Sequence, residues 1–249
     1  MNLRPIGIIQ TCFPEKFGIP RQSLMIPDAW GVVRLDAEFS DPNAVLHLQE
    51  FSHIWILYEF HQAPTEWSPL IIPPRIDAPN KVGVFASRSP RRPNPIGMSV
   101  VKLNQVNRNQ KGQTELFVSG VDILDGSPVY DIKPYIPYSD QVTTANAGWI
   151  KNEIEKFDVE FSETAKEELQ HAQQRYNTES KSGKYPACDL RTLITQTLEW
   201  DPRPRSQREV ARIQDPSIQR KNYAFRILDL DVHWEITPDQ KIVVIGIKH

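Results

Sequence analysis

Apolar positions in roughly the first 140 residues fall in short runs that alternate more often than they recur at helical spacing. "RPIGIIQT" and "WGVVRL" read as short strands, and "HIWILYEFH" is apolar on both faces, as a central strand would be. "KVGVFAS", with Val82, Val84, Phe85 and Ala86, reads as another buried strand. "GMSVVKLNQVNRN" and "QTELFVSGVDIL" follow, separated by the turn-prone "NQKG". "SDPNAVLHLQEF" interrupts with a helix-start signal, Ser40 or Asp41 as cap and Pro42 in the first turn. Short strands at this spacing, with helices rare, predict an antiparallel barrel or sandwich.

The pattern changes near residue 150. "SETAKEELQHAQQRY" is a charged amphipathic helix with Ser162 as its cap, and "ACDLRTLITQTLEW" is a second helix stopped by "DPRP". "YAFRILDLDVHWEI" and "KIVVIGIK" read as strands joined by a "TPDQ" hairpin turn. The expected architecture is mainly β: an antiparallel barrel or sandwich over residues 1–145 and a small α+β C-terminal domain over 150–249.

A hydrophobic share of 39% and a charged share of 24% in 249 residues suit a globular chain with a real core. Proline outnumbers glycine 21 to 11, so many loop segments have a fixed φ. The two cysteines show neither a disulfide framework nor metal spacing, so a reducing cytoplasm and no bound metal are expected. No positively charged N-terminal region leads into an apolar run, and the stretch around Ile54–Phe60 is far short of a membrane span. The net charge of −2 hides a separation. Glutamates gather between residues 153 and 168, while Arg203, Arg205, Arg208, Arg212, Arg220, Lys221 and Arg226 crowd a later stretch. Local patches decide whether a polyanion docks.

Candidate chemistry gathers in loops. "RSPRRPNPIG" holds Arg88, Arg91 and Arg92 among three prolines, and Asn94 between two of them must be extended. Stiffened guanidinium groups can fork onto a carboxylate or a phosphate. "FGIPRQ" sets Arg21 and Gln22 after Pro20, and "EFHQ" ends the most apolar strand with His61 and Gln62. "DILDGSPVYDIKPYIPYSD" places Asp122, Asp125, Asp131 and Lys133 near one end of a sheet, where a ligand bearing an ammonium, a diol or an acidic N–H would meet carboxylates. "EWDPRPRSQR" again presents arginines, Arg203 and Arg205, from rigid prolines. A Gly-rich nucleotide fingerprint, a P-loop and a nucleophile elbow are all missing, so any nucleotide-like ligand is cradled by loops and arginines.

"RSPRRPNPIGMSVVKL" followed by "DILDGSPVYDIKPYIPYSD" resembles the signature of the TsaA-like (TrmO) family of β-barrel S-adenosylmethionine-dependent tRNA methyltransferases. "FGIPRQ", "FSHIWILYEFHQ" and "DPRP" resemble its longer bacterial members, and the likeness spans nearly the whole chain. The resemblance implies a β-barrel over residues 1–145, and methylation of the N6 nitrogen of N6-threonylcarbamoyladenosine, next to the anticodon of threonine tRNA. It implies that S-adenosylmethionine lies against Pro20, Arg21, Gln22, His61, Gln62, Arg88, Leu103 and the turn Asp122, Ile123, Leu124, Asp125 and Gly126. It also implies a homodimer. For tRNA and the threonyl carboxylate, the expected contacts are Arg91, Arg92, Asn94, Lys133, Tyr135, Arg203 and Arg205. Asp131 and Asp122 are the candidate bases; Asp131 is assigned the role because the resemblance gives Asp122 to the cofactor. Two other classes fit the same residues: an RNA-binding barrel without catalysis, and a methyltransferase acting on another RNA or small molecule.

Overall fold

The computed structural model describes residues 3–74, 78–150, 154–205, 207–208 and 222–249. Eight strands are described up to Pro134: β1 (Gly7–Thr11), β2 (Trp30–Leu35), β3 (His53–Glu59), β4 (Leu70–Ile71), β5 (Val82–Gly83), β6 (Ile96–Arg108), β7 (Thr114–Ser119) and β8 (Ser127–Pro134). Six of them close an antiparallel barrel in the order β1-β2-β7-β6-β3-β8, and β4 and β5 pair as a separate flap. Alternation drives the closure. Ile54, Ile56 and Tyr58 of β3 point inward with Ile9, Val33, Val101, Leu116 and Val129, while Trp55 and Leu57 are only partly covered on the outside.

The second half holds α2 (Glu163–Lys181) and α3 (Leu190–Leu198), after a single-turn α1 (Pro137–Asp140). Ser162 Oγ caps α2 by accepting the Ala165 N–H at 3.1 Å, and Asp189 caps α3 through the Thr192 N–H at 2.7 Å. These helices accompany a four-stranded sheet ordered β10-β11-β12-β9, made by β9 (Val159–Phe161), β10 (Tyr223–Ile227), β11 (Leu230–Ile236) and β12 (Ile242–Lys248). Together the two halves are one of the two architectures the hydrophobic pattern allows, the barrel that the resemblance implies, with the smaller α+β domain.

Local differences have local causes. "KVGVFAS" is strand only at Val82–Gly83; Val84–Ala86 forms a 3-10 turn, closed by Ser87 Oγ donating to Val84 O at 2.7 Å. Phe85 is therefore 75% exposed rather than buried. "SDPNAVLHLQEF" starts as expected, with Asp41 accepting the Asn43 N–H, but His47 at φ 65° breaks it into two 3-10 turns. "YAFRILDLDVHWEI" is two strands, because the chain reverses at Leu228 (φ 56°), where no glycine or asparagine announces a turn. No helix of the described residues is long and apolar enough to cross a membrane.

All six barrel strands have one terminus at the same rim, since Glu59 pairs Ile96, Trp30 pairs Ser119, Thr11 pairs Gly31 and Ile9 pairs Ser127. Three loops leave that rim: 12–29, 60–95 and 120–126. The C-terminal domain docks on the first. Leu228 N donates to Cys12 O at 2.9 Å, Trp200 Nε1 to Met25 O at 2.8 Å, and Gln196 pairs with Asp28.

Candidate active site

The three rim loops converge on Asp122. Its Oδ1 is fully buried with no hydrogen-bond partner among the described residues. Burial pushes its carboxyl from 3.8 up to about 6, against hydrogen bonds from the Ser99 side chain, its own backbone and the Ser23 backbone, and against the Arg88 charge. Tyr58 lies beneath, its hydroxyl 3.5 Å from Ser99 Oγ; burial, and then the Asp122 charge, holds the phenol well above its usual range. The Tyr58 ring lies flat against Gly97, where an added Cβ would collide with Cζ. Only glycine permits that approach.

The first loop is pinned beside this carboxylate by Leu24 N donating to Gly120 O at 2.8 Å. Gln22 Oε1 there accepts a hydrogen bond from Nη1 of Arg88, which ties the Pro-Arg-Gln turn to the arginine loop. Arg88 itself is exposed. Pro20 is buried, and Arg21 Nη2 reaches Asp201 O at 3.2 Å in the C-terminal domain. His61 Nδ1 lies 3.1 Å from Ser127 Oγ, whose proton goes to Leu124 O at 2.7 Å, so Nδ1 is the donor in this pair. Gln62 is exposed, with its carbonyl taking the Lys16 ammonium at 2.6 Å.

The Asp122–Gly126 turn divides its labour. Asp125 Oδ1 accepts the Thr11 N–H at 2.7 Å, the Asp125 N–H donates to Phe13 O, and the Gly126 N–H donates to Ile9 O. Ile123 is fully buried, and its carbonyl takes the Thr11 hydroxyl at 2.9 Å. These residues fasten the turn to the barrel, and Asp122 is the carboxylate left facing inward without a complete set of donors. An orphaned carboxylate oxygen beside an exposed guanidinium suits a ligand that carries both an ammonium and a carboxylate, as an amino-acid moiety does.

Other expected residues lie on the barrel wall rather than in the rim loops. Leu103 is 4% exposed, an inward position of β6, with its N–H taken by Ser52 O at the end of β3 opposite His61. Its side chain faces the barrel interior, away from the rim loops, so its geometry does not favour the cofactor contact that the resemblance implies. Met98, an outward position of the same strand opposite Leu57, is 55% exposed and offers the apolar surface instead. Extending the alternation of "IGMSVVKL" from the buried Val101 would have separated the two. Asp131 is on the outer wall, also opposite Leu57, with Oδ2 2.8 Å from Lys133 Nζ and Oδ1 accepting the Ile132 N–H. Tyr135 packs on Trp55 at 5.8 Å and beside His53, toward the far end of β3.

The arginines sort by burial. Arg92 Nη1 donates to the carbonyls of Val84, Ser87 and Ser89, which shapes its own loop. Arg91 donates Nε to Glu66 O, its one side-chain bond among the described residues, and is exposed, as is Asn94. Arg203 is 7% exposed and forks onto Asp201, Nε to Oδ1 at 2.8 Å and Nη2 to Oδ2 at 2.9 Å, with Tyr223 against its face. That arrangement leaves no face for a phosphate, and Arg203 is a packing residue rather than a tRNA contact. Arg205 is half-buried against Pro73 O and Asn80 Oδ1. Arg212, Arg220 and Lys221 lie outside the described residues. Among the described residues no group of three or more His, Cys, Asp or Glu could hold a metal ion.

Comparison with known proteins matches the tRNA-methyltransferase O N-terminal domain to residues 8–141 and the TrmO C-terminal domain to 154–249. A putative S-adenosylmethionine-dependent methyltransferase RcsF of Pseudomonas aeruginosa is 38% identical over 247 residues, covering 99% of this chain and 97% of its own. A tRNA (adenine(37)-N6)-methyltransferase of Escherichia coli is 35% identical over 236 residues, covering 93% of this chain and 92% of its own. The crystal structure of TrmO from Pseudomonas aeruginosa superposes with a TM-score of 0.76 at 36% identity, covering 100% of this chain and 99% of that one.

Proposed function

The chain belongs to the tRNA-methyltransferase O family, and from that premise we propose that it methylates N6 of adenine 37 in threonine tRNA, in its threonylcarbamoylated form. The observation that carries this reading is the Asp122–Arg88–Gln22 cluster, where a buried carboxylate oxygen has no donor among the described residues, at the rim that gathers the family's motifs. S-adenosylmethionine, when bound, supplies an electrophilic sulfonium methyl. Asp122 would take its ammonium and Arg88 its carboxylate, with Gln22 and the Pro20–Arg21 turn alongside. His61, Gln62, Leu124 and Gly126 are the remaining rim positions available to it.

The chain's own contribution is chiefly positioning. A sulfonium loses charge as its methyl leaves, so a strong oxyanion-type site is not required, and holding the nitrogen in line matters more. Acylation makes the N6 proton more acidic and the lone pair weaker, which calls for a base. Asp131 is assigned that proton; it faces the outer wall beside Leu57, as Met98 does, and Lys133 fixes its orientation. Arg91, exposed on the same loop as Arg88, is assigned the threonyl carboxylate, with Asn94 and Lys133 toward the RNA backbone. Two free cysteines support a reducing cytoplasm, and the resemblance supports a homodimer.

The test is methyl transfer from labelled cofactor to threonine tRNA made with and without the threonylcarbamoyl group. A guanidinium poised for a carboxylate that is missing leaves the unmodified tRNA at least ~100-fold less efficient, about 2.7 kcal/mol in kcat/KM. Comparable rates on both overturn the carboxylate assignment, and no transfer to either overturns the activity.

A further inference from the structure

The β4–β5 flap presents aromatic rings to solvent where a barrel needs none. Phe85 is 75% exposed and Trp67 is 50% exposed. Both sit on one backbone unit: β4 pairs β5, Val84 N donates to Pro69 O at 3.0 Å, and Ser68 N reaches Arg91 O at 3.5 Å. Trp67 is held between two residues bonded to Arg91, since Arg91 Nε also donates to Glu66 O at 3.2 Å. The Arg92 guanidinium lies 5.9 Å from the Phe85 ring centroid. Trp149 fastens the flap from outside by donating Nε1 to Ala86 O at 2.9 Å.

The charge on this unit is one-sided. Segments 66–71 and 81–92 carry Lys81, Arg88, Arg91 and Arg92 against the single acid Glu66. An isologous contact with a second copy of such a patch would set cations against cations. Exposed rings interleaved with guanidinium groups on a proline-stiffened scaffold suit unpaired nucleotides, which stack on the rings while their phosphates meet the cations.

The geometry points to the flap as a stacking platform for unpaired nucleotides that flank the target adenine, with Trp67 and Phe85 as the two stacking surfaces. Arg88 joins the platform to the Asp122 cluster through Gln22, so a base laid on Phe85 lies next along the chain from the cofactor residues. This inference rests on the tRNA reading above and adds to it how the anticodon loop is gripped.

The experiment compares Trp67→Ala, Phe85→Ala, Phe85→Leu and Phe85→Tyr with the wild type. Both positions are exposed, so folding is spared. Three quantities are read: KM for threonine tRNA, Kd for S-adenosylmethionine, and oligomeric state by sedimentation. Each alanine variant and Phe85→Leu should raise the tRNA KM roughly tenfold, the scale of one lost base stack, with cofactor Kd and oligomeric state unchanged. Phe85→Tyr, which keeps a ring face, should stay near wild type. Wild-type KM in both alanine variants overturns the platform while leaving the activity standing. Leucine performing like phenylalanine, or a change in oligomeric state, overturns it in favour of a protein contact. A wild-type chain that does not methylate tRNA overturns both readings.

Discussion

Replacing Asp122 by asparagine removes a charge and changes little else in shape, and the structure fixes the sign of the effect. Burial raises the carboxyl from 3.8 to about 6, so the folded apo chain holds this proton more tightly than the unfolded chain does. The proton-linked stability is full below about pH 4 and is lost as pH climbs through about 6. That interval corresponds to roughly 3 kcal/mol against the apo fold at neutral pH. The asparagine variant carries no such penalty and still offers an oxygen to Ser99 and Ser23. In the apo form it should therefore be more stable than wild type by up to about 3 kcal/mol at pH 8, with the advantage fading toward pH 4. Urea unfolding across that pH range measures it. The counterpart is binding: wild-type affinity for S-adenosylmethionine should rise as Asp122 ionises near pH 6, and the variant should bind weakly with a flat profile. A variant less stable than wild type at pH 8 would refute the reasoning, because it would show the ionised carboxylate already satisfied by the protein and not waiting for a cation.

Arg88→Ala should weaken cofactor binding by roughly 1.5–3 kcal/mol by calorimetry, the scale of a hydrogen bond to a charged group. Its apo unfolding midpoint should hardly move, since the side chain is exposed; a large drop there with unaltered affinity would make the loop structural. Arg203→Ala leaves Asp201 buried and without its fork, and should cost about 3–5 kcal/mol in urea unfolding; a stable variant with raised tRNA KM would instead return Arg203 to the RNA surface. Gly97→Ala drives a methyl into the Tyr58 ring and should destabilise by ~1–3 kcal/mol or more, a loss that Tyr58→Leu in the same chain should partly relieve; an additive double variant would contradict the contact.

The short apolar runs in "WGVVRL", "HIWILYEF" and "GMSVVKL" were enough to read an antiparallel barrel or sandwich, because strand burial marks the chain at short range whatever the partners are, and the family resemblance chose the barrel. The rim was legible as three clusters of loop residues, and the structure brings all three to one end of the barrel. What stayed hidden depends on contacts distant in sequence. Nothing local distinguishes Asp122 from Asp125; the second is consumed by Thr11, more than a hundred residues earlier, and the first is not. Arg203 differs from Arg91 by a carboxylate two residues before it, Asp201, but the sequence does not show that this pair is buried together, and that burial takes Arg203 inside. Phe85 misled because apolar composition cannot register a 3-10 turn that swings the ring outward.

Asp201 bears on how freely the two halves of the molecule could be inherited apart. Held at φ 48°, it grips Arg203 with its carboxylate and offers its carbonyl to Arg21, the neighbour of the glutamine that steadies Arg88. The same segment sends Arg205 and Arg208 to the carbonyls of Pro73 and Pro74 in the second rim loop. On the other side of the seam, Gly18 gives room to the Phe225 ring, which a Cβ would meet at 2.8 Å. A C-terminal domain borrowed from a relative would bring its own version of these contacts, and the Pro20–Gln22 turn would settle differently on them. The barrel carries the three rim loops, but the first of them, with Arg21 and Gln22, is held in part from outside the barrel. Substitutions at Asp201, Arg205 and Arg208 can thus shift the rim loops while lying wholly outside the barrel.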